Sequence, residues 1–187
     1  MTQKINHPSL ENIGILIPCY RANGQLVKLV NSLIKNGFNH IIIVRDGDDT
    51  SYDPIYQEIH DKITHQISHL ENLGKGAALR TGFKFIQENF SQLKGVITVD
   101  ADGQHTVSDI LNVAQTLIMK PDYFVLGARK FDKDVPLRSK IGNKLTRTLF
   151  SWFLNMKLTD TQTGLRGVPY KYLTQLLEIP GDRYEYE

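Results

Sequence analysis

Short β-branched runs that alternate with helical patterns constrain this chain most. Ile13-Gly14-Ile15-Leu16-Ile17 is an apolar run, and Leu26, Leu29, Val30, Leu33 and Ile34 then share one helical face before Gly37. Ile41-Ile42-Ile43-Val44 repeats the strand signal. Asp53 before Pro54 predicts an N-cap followed by proline at the first helical position, with Ile55, Ile59 and Ile63 behind it. A weaker strand near His65 to Ser68 precedes a helix from about Gly76 to Asn89, in which Leu79, Phe83, Ile86 and Phe90 keep helical spacing. Val96-Ile97-Thr98-Val99 is the next strand, followed by a helix carrying Ile110, Leu111, Ala114, Leu117 and Ile118, and then a strand from Tyr123 to Leu126. Strands that are apolar on both faces, with amphipathic helices between them, predict an α/β fold: a mostly parallel sheet flanked by helices.

The length of 187 residues suits one domain of this kind, and 41% apolar with 22% charged residues excludes disorder and a disulfide-stapled miniprotein. A single cysteine, Cys19, fits a reducing compartment and reads as a small buried residue. The net charge of +2 gives no reason to expect a nucleic-acid partner. The polar stretch from Met1 to Asn12 lacks the apolar core of a signal peptide, and no run approaches the roughly 20 apolar residues of a membrane span. The expected location is cytoplasmic.

Parallel sheets bind ligands beyond the carboxyl ends of their strands, so the polar residues there carry the functional information. Asp100-Ala101-Asp102-Gly103-Gln104-His105 puts two carboxylates one residue apart where a strand ends. Mg²⁺ and Mn²⁺ take such oxygen ligands and complete their shells with water and substrate phosphates. An isolated Asp-x-Asp also fits a turn cap with a solvent-facing acid, and His105 fits either a metal shell or a structural hydrogen bond. Asp46-Gly47-Asp48-Asp49 offers a carboxylate to a base or ribose, and equally forms a good turn. Asn72-Leu73-Gly74-Lys75-Gly76 opens a helix whose amides, with Lys75, suit an anion. It is not a P-loop, because His69 stands where that motif needs glycine and Gly76 where it needs Ser or Thr. No Gly-x-Gly-x-x-Gly follows the first strand, which argues against a dinucleotide fold.

Basic residues gather at Arg129, Lys130, Arg138, Lys140, Lys144, Arg147 and Arg166. Ile141, Leu145, Leu149, Trp152 and Phe153 place several of them on an amphipathic helix between Leu137 and Met156. A solvated face, a diphosphate clamp and contact with an anionic membrane surface are the three readings. Asp160 and the terminal acids Glu185 and Glu187 are candidate general bases, the terminal pair also fitting an alternating edge strand.

Taken in order, Ile-Pro-Cys-Tyr-Arg, the acidic-glycine turn, Asn-Leu-Gly-Lys-Gly-Ala-Ala-Leu-Arg-Thr-Gly, Asp-Ala-Asp-Gly-Gln-His, Gly-Ala-Arg and Asp-Thr-Gln-Thr-Gly-Leu-Arg resemble the family 2 inverting glycosyltransferases over about Ile13 to Glu187. The nearest branch is that of the polyprenyl- and dolichyl-phosphate sugar synthases. The resemblance implies a GT-A fold, as a single domain over 1–187 that is truncated at its C-terminal side. It implies that Pro18, Tyr20, Asp46, Lys75 and Asp100 bind the nucleotide, and that Asp100, Asp102 and Gln104 hold a divalent metal, Mg²⁺ or Mn²⁺. Arg129, Arg138 and Arg166 would serve the phosphates and the acceptor. Asp102 would be catalytic, with Glu185 and then Asp160 as the base for a hydroxyl acceptor.

Two departures stand out. Arg45 and Asp48 flank Asp46-Gly47 where relatives carry two adjacent acids and then Gly-Ser, and Arg21-Ala22 replaces an Asn and an acid. The implied reaction is inverting transfer of a sugar from a UDP- or GDP-sugar to a polyprenyl phosphate or cell-envelope glycan, peripheral at the inner membrane face. Two competing readings are a catalytically silent nucleotide-sugar binding module and a nucleotidyltransferase of similar sheet type. The second would need a glycine-rich, arginine-containing loop after the first strand, which Pro18-Cys19-Tyr20-Arg21 does not supply.

Overall fold

The structure is a computed structural model that describes residues 10–127 and 164–179. Its elements are β1 (Ile13–Cys19), α1 (Gly24–Lys35), β2 (His40–Asp46), α2 (Asp53–Ile59), β3 (His65–His69), α3 (Lys75–Asn89), β4 (Gly95–Thr98), α4 (Val107–Met119), β5 (Val125–Leu126), β6 (Arg166–Pro169) and α5 (Leu173–Glu178). The six strands form one sheet in the order β3-β2-β1-β4-β6-β5. β1 pairs in parallel with both β2 and β4, and β2 with β3. β6 runs antiparallel between β4 and β5.

Every residue of β1 is buried, as expected of a central strand covered on both faces. Its side chains alternate between two cores. Ile13, Ile15, Ile17 and Cys19 pack with Ile41, Ile43 and Ile97 under α1, α2 and α4, whereas Leu16 joins Ile42, Val44 and Val96 under α3 and α5. Each fully buried aliphatic side chain stabilises the fold by about 1.5–3 kcal/mol, so these two layers hold the strand ends in fixed register. α3 lies close against β1 at Gly82, where an added Cβ would overlap the side chain of Leu16.

Local signals fix the helix starts. Asn23 is extended and its side chain accepts from the Gln25 amide, and Thr106 with Asp109 forms a reciprocal capping box on α4. The expected N-cap at Asp53 is corrected: Asp49 caps a short 3-10 turn over Thr50–Tyr52, and Asp53 is already the first residue of α2. Its carboxylate is instead bound by Arg45 Nη1 at 2.5 Å. α2 also ends at Ile59 rather than reaching Ile63, because a second 3-10 turn, His60–Lys62, intervenes. The strand expected from Tyr123 shortens to Val125–Leu126, and Tyr123 and Phe124 stay exposed before it. β6 has no counterpart in the sequence reading, because Arg166-Gly167-Val168-Pro169 is too short and too interrupted to show a strand period. Among the described residues, no helix is long and apolar enough to cross a membrane.

Candidate functional site

The chain proceeds from β1 outward to β2 and β3, then returns to the other side of β1 for β4. A crevice opens at such a reversal, outside the carboxyl ends of the two strands. Tyr20 and Arg21 follow β1 here, and Asp100 to Asp102 follow β4. Arg21 has φ +56°, the one positive value at a non-glycine position among the described residues. Its amide donates to Asp48 Oδ2 at 3.2 Å, which compensates the unfavourable backbone, and its guanidinium lies 5.0 Å from the ring centre of Tyr20.

Asp100 is the electrostatic centre of the crevice. Lys75 Nζ, on the first residue of α3, sits 2.9 Å from its Oδ1, and His105 Nε2 sits 3.6 Å from its Oδ2. Burial opposes ionisation of Asp100, but His105 and Lys75 outweigh it and hold the carboxyl down to about 2. At 3.6 Å the histidine contact is an electrostatic approach rather than a formed hydrogen bond, and Nε2 of His105 is buried without a hydrogen-bond partner. Gly164 closes the other side: a Cβ there would overlap the Asp100 carboxylate, and the Gly164 carbonyl accepts from the Thr98 hydroxyl at 2.8 Å. Asp102 is exposed, and its Oδ1 accepts from the Gln104 amide at 2.9 Å across Gly103, whose φ is +77°.

A second network closes the carboxyl end of β2. Asp48 receives the guanidinium of Arg45, the Tyr56 hydroxyl at 3.0 Å and the Arg21 amide. Arg45 also reaches Asp53 and the carbonyls of Asp48 and Asp49, and lies over the Tyr56 ring. Arg45 thus ties the turn after β2 to the start of α2. Cys19 lies beneath this network, and burial pushes its thiol up to about 11, so it stays protonated and unreactive at neutral pH.

Sequence-predicted residues fall into three groups. Tyr20, Lys75, Asp100, Asp102 and Gln104 come to the crevice, with Pro18 buried in β1 beneath it. Arg166 begins β6, paired with Thr98 two residues before Asp100. Asp46 is 3% exposed, and its carboxylate is engaged within the protein, accepting from the amides of Leu73 and Gly74 and contacting His69. Arg129, Arg138, Asp160 and Glu185 lie outside the described residues, as do most of the basic positions around them. Gly127 and Leu165 are joined by a 2.9 Å backbone hydrogen bond, so the chain leaves and re-enters the described part next to Gly164 and Asp100. From the sequence, Asp48 is only part of the acidic turn and His69 only a break in the P-loop pattern; neither has a partner assigned. The parallel register of β2 and β3 sets His69 directly beside Asp46.

The donor set suits a hard divalent cation. Asp100 is held ionised, Asp102 has a second carboxylate oxygen outside its turn, and the buried Nε2 of His105 leaves a polar atom unfilled beside them. Among the described residues, no three His, Cys, Asp or Glu side chains converge as a closed cage. Mg²⁺ and Mn²⁺ commonly take one or two protein carboxylates and complete their shells with water and substrate phosphates.

Residues 14–174 match the sequence profile described as Glycosyl transferase family 2. The chain belongs to glycosyltransferase family 2. It is 32% identical over 193 residues to the UDP-N-acetylglucosamine–dolichyl-phosphate N-acetylglucosaminyltransferase of Methanococcus voltae, spanning 92% of this chain and 76% of that one. It is 29% identical to an uncharacterized protein of Methanocaldococcus jannaschii over 97% of this chain and 75% of that one. Among solved structures it resembles glucosyl-3-phosphoglycerate synthase from Mycobacterium tuberculosis, in complex with Mn²⁺, uridine diphosphate and glucosyl-3-phosphoglycerate, with a TM-score of 0.64 at 14% identity. That match covers 88% of this chain and 58% of the synthase. Residues 1-349 of TarS from S. aureus give a TM-score of 0.59 at 16% identity, over 88% of this chain and 48% of theirs. The family 2 chain therefore has the GT-A fold, and it spans roughly half the length of these solved chains.

Proposed function

We propose that this family 2 chain binds a nucleotide-diphosphate sugar with a divalent metal and transfers the sugar, with inversion, to a polyprenyl phosphate. The observation that carries the reading is the Asp100–Asp102 pair, placed where the strand order reverses and with Asp100 held ionised by Lys75 and His105. The name of the Methanococcus voltae relative supports a dolichyl-phosphate type of acceptor and a uridine nucleotide. The Arg45 and Asp48 departures leave UDP- and GDP-sugars both in play.

Asp100 and Asp102 would hold the metal, which supplies Lewis-acid stabilisation of charge on the departing diphosphate. Lys75, 2.9 Å from Asp100 Oδ1, would add positive charge at the same edge and help offset the charge growing on the diphosphate. Tyr20, with Arg21 stacked on it, offers an aromatic face to the nucleoside. In the transfer itself the bond from the anomeric carbon to the diphosphate oxygen breaks as an acceptor oxygen bonds to the opposite face. A polyprenyl phosphate oxygen is already anionic and needs no base. A glycan hydroxyl would need one, and Asp160 and Glu185 are the proposed candidates.

The test is transfer of radiolabelled sugar from UDP- and GDP-sugars to a polyprenyl phosphate in the presence of Mn²⁺, read as label entering the lipid phase. Label from one donor, abolished by Asp102→Asn, supports the proposal. Undiminished turnover in Asp102→Asn refutes the metal assignment. Donor binding without any transfer would favour the silent binding module.

A further inference from the structure

His69 belongs to no motif, yet it is buried between β2 and α3, the helix that carries Lys75. Its side chain is 9% exposed, with Nδ1 2.7 Å from Asp46 Oδ1 and Nε2 2.9 Å from the Thr81 hydroxyl. The tautomer with the proton on Nδ1 donates to the Asp46 carboxylate and leaves Nε2 facing the Thr81 hydroxyl. The other bonds of Asp46 run to the Leu73 amide at 3.0 Å and the Gly74 amide at 2.9 Å.

Those two amides immediately precede Lys75. Gly74 occupies the N-cap position of α3 with φ +98° and supplies no side-chain cap, so the start of α3 takes its anchor from Asp46. The loop has little packing of its own: Leu70 is fully exposed and Leu73 is 43% exposed. Its backbone at Glu71 and Asn72 rests on Gly47, the residue after Asp46. Thr81 lies further along the same helix, so His69 links β2 to α3 on both sides of the loop that delivers Lys75 to Asp100.

We propose that His69 is a positioning residue of the donor site: its Nδ1–H fixes Asp46, Asp46 fixes the Leu73–Gly74 amides, and that loop sets Lys75 against Asp100. The inference rests on the proposed donor-binding role of the crevice. Removing a hydrogen-bonding partner directly behind a metal ligand commonly costs about 10–100-fold in affinity, and His69 acts further back, through Asp46 and the loop, which sets its effect at the low end of that range.

The test compares His69→Asn, which keeps a donor near the Nδ1 position, with His69→Gln, which offers one near Nε2, and with His69→Ala. Binding of UDP and GDP with Mn²⁺ is measured by calorimetry alongside the melting temperature. His69→Gln and His69→Ala should weaken diphosphate binding by about tenfold, while His69→Asn stays within about threefold of the parent chain. In the parent chain, the Leu73 and Gly74 amides should exchange more slowly than those of Glu71 and Asn72, and His69→Gln should erase that difference. Equal affinity in Asn and Gln variants, or no protection of the two amides, overturns the positioning role while leaving the donor site intact. Absence of nucleotide binding in the parent chain overturns the donor-site reading and this inference with it. If His69→Ala does not fold, the Asn and Gln pair and the parent exchange pattern still decide.

Discussion

Replacing Gly164 with alanine probes the seat of Asp100 without substituting any charged residue. An added Cβ would stand well inside 3.0 Å of the carboxylate carbon and both oxygens of Asp100. No backbone strain accompanies the change, since Gly164 is not among the positive-φ glycines. The side chain that must yield is the carboxylate itself, and to clear a methyl group it swings away from Lys75 at 2.9 Å and His105 at 3.6 Å. The gap between an ordinary aspartate value of 3.8 and about 2 is worth roughly 2 kcal/mol of stability at neutral pH. With the side chain 20% exposed, solvent screening reduces this to about 1–2 kcal/mol. The predicted result is therefore a modest fall in stability, with a larger loss of metal-dependent diphosphate affinity, about 10–100-fold. Urea denaturation and calorimetric titration of UDP and GDP with Mn²⁺ measure the two effects separately. Parent-like affinity in Gly164→Ala would refute the claim that the placement of Asp100 governs binding.

Three further outcomes follow from the same geometry. Gly47→Ala puts a side chain at φ +71° and into the backbone of Glu71 and Asn72, which cannot rotate away, so urea denaturation should show a loss of about 2–4 kcal/mol. Gly82→Ala meets the buried side chain of Leu16 and should cost about 1–3 kcal/mol while leaving nucleotide affinity unchanged. Asp100 has a depressed pKa in the folded state, so its contribution is present above about pH 4 and is lost as pH falls toward 2; Asp100→Asn should flatten that part of the urea midpoint-against-pH curve relative to the parent chain.

The parallel half of the sheet was legible because its strands are buried on both faces and so read as unbroken runs such as Ile41 to Val44. β6 was hidden, since its pairing with β4 is set by tertiary contacts at Thr98 and Val96 rather than by its own four residues. The positions of Asp100 and Asp102 just after a strand, and of Lys75 at a helix start, were readable from the sequence. The role of Asp46 was not, because the acidic-glycine turn looks the same whether its carboxylate faces a ligand or folds back on the amides of Leu73 and Gly74. Asp53 went astray for a similar reason: Asp before Pro is a sound capping signal, but Arg45 recruits that carboxylate across the turn. Side chains that serve partners outside their own element, whether eight residues away as for Arg45 and Asp53 or 27 as for Asp46 and Leu73, leave no local period to read.

The most direct measurement is a thermal-shift panel of UDP, GDP, CDP and ADP, each with Mn²⁺, with Mg²⁺ and with excess EDTA. A ligand at 100 times its dissociation constant adds about 2.7 kcal/mol of stability, which is readily seen. The account predicts a shift with UDP or GDP that needs the metal, disappears in EDTA and is lost in Asp102→Asn. A shift that persists unchanged in EDTA, or none with any nucleotide, would contradict the claim that Asp100 and Asp102 form a metal-bridged diphosphate site.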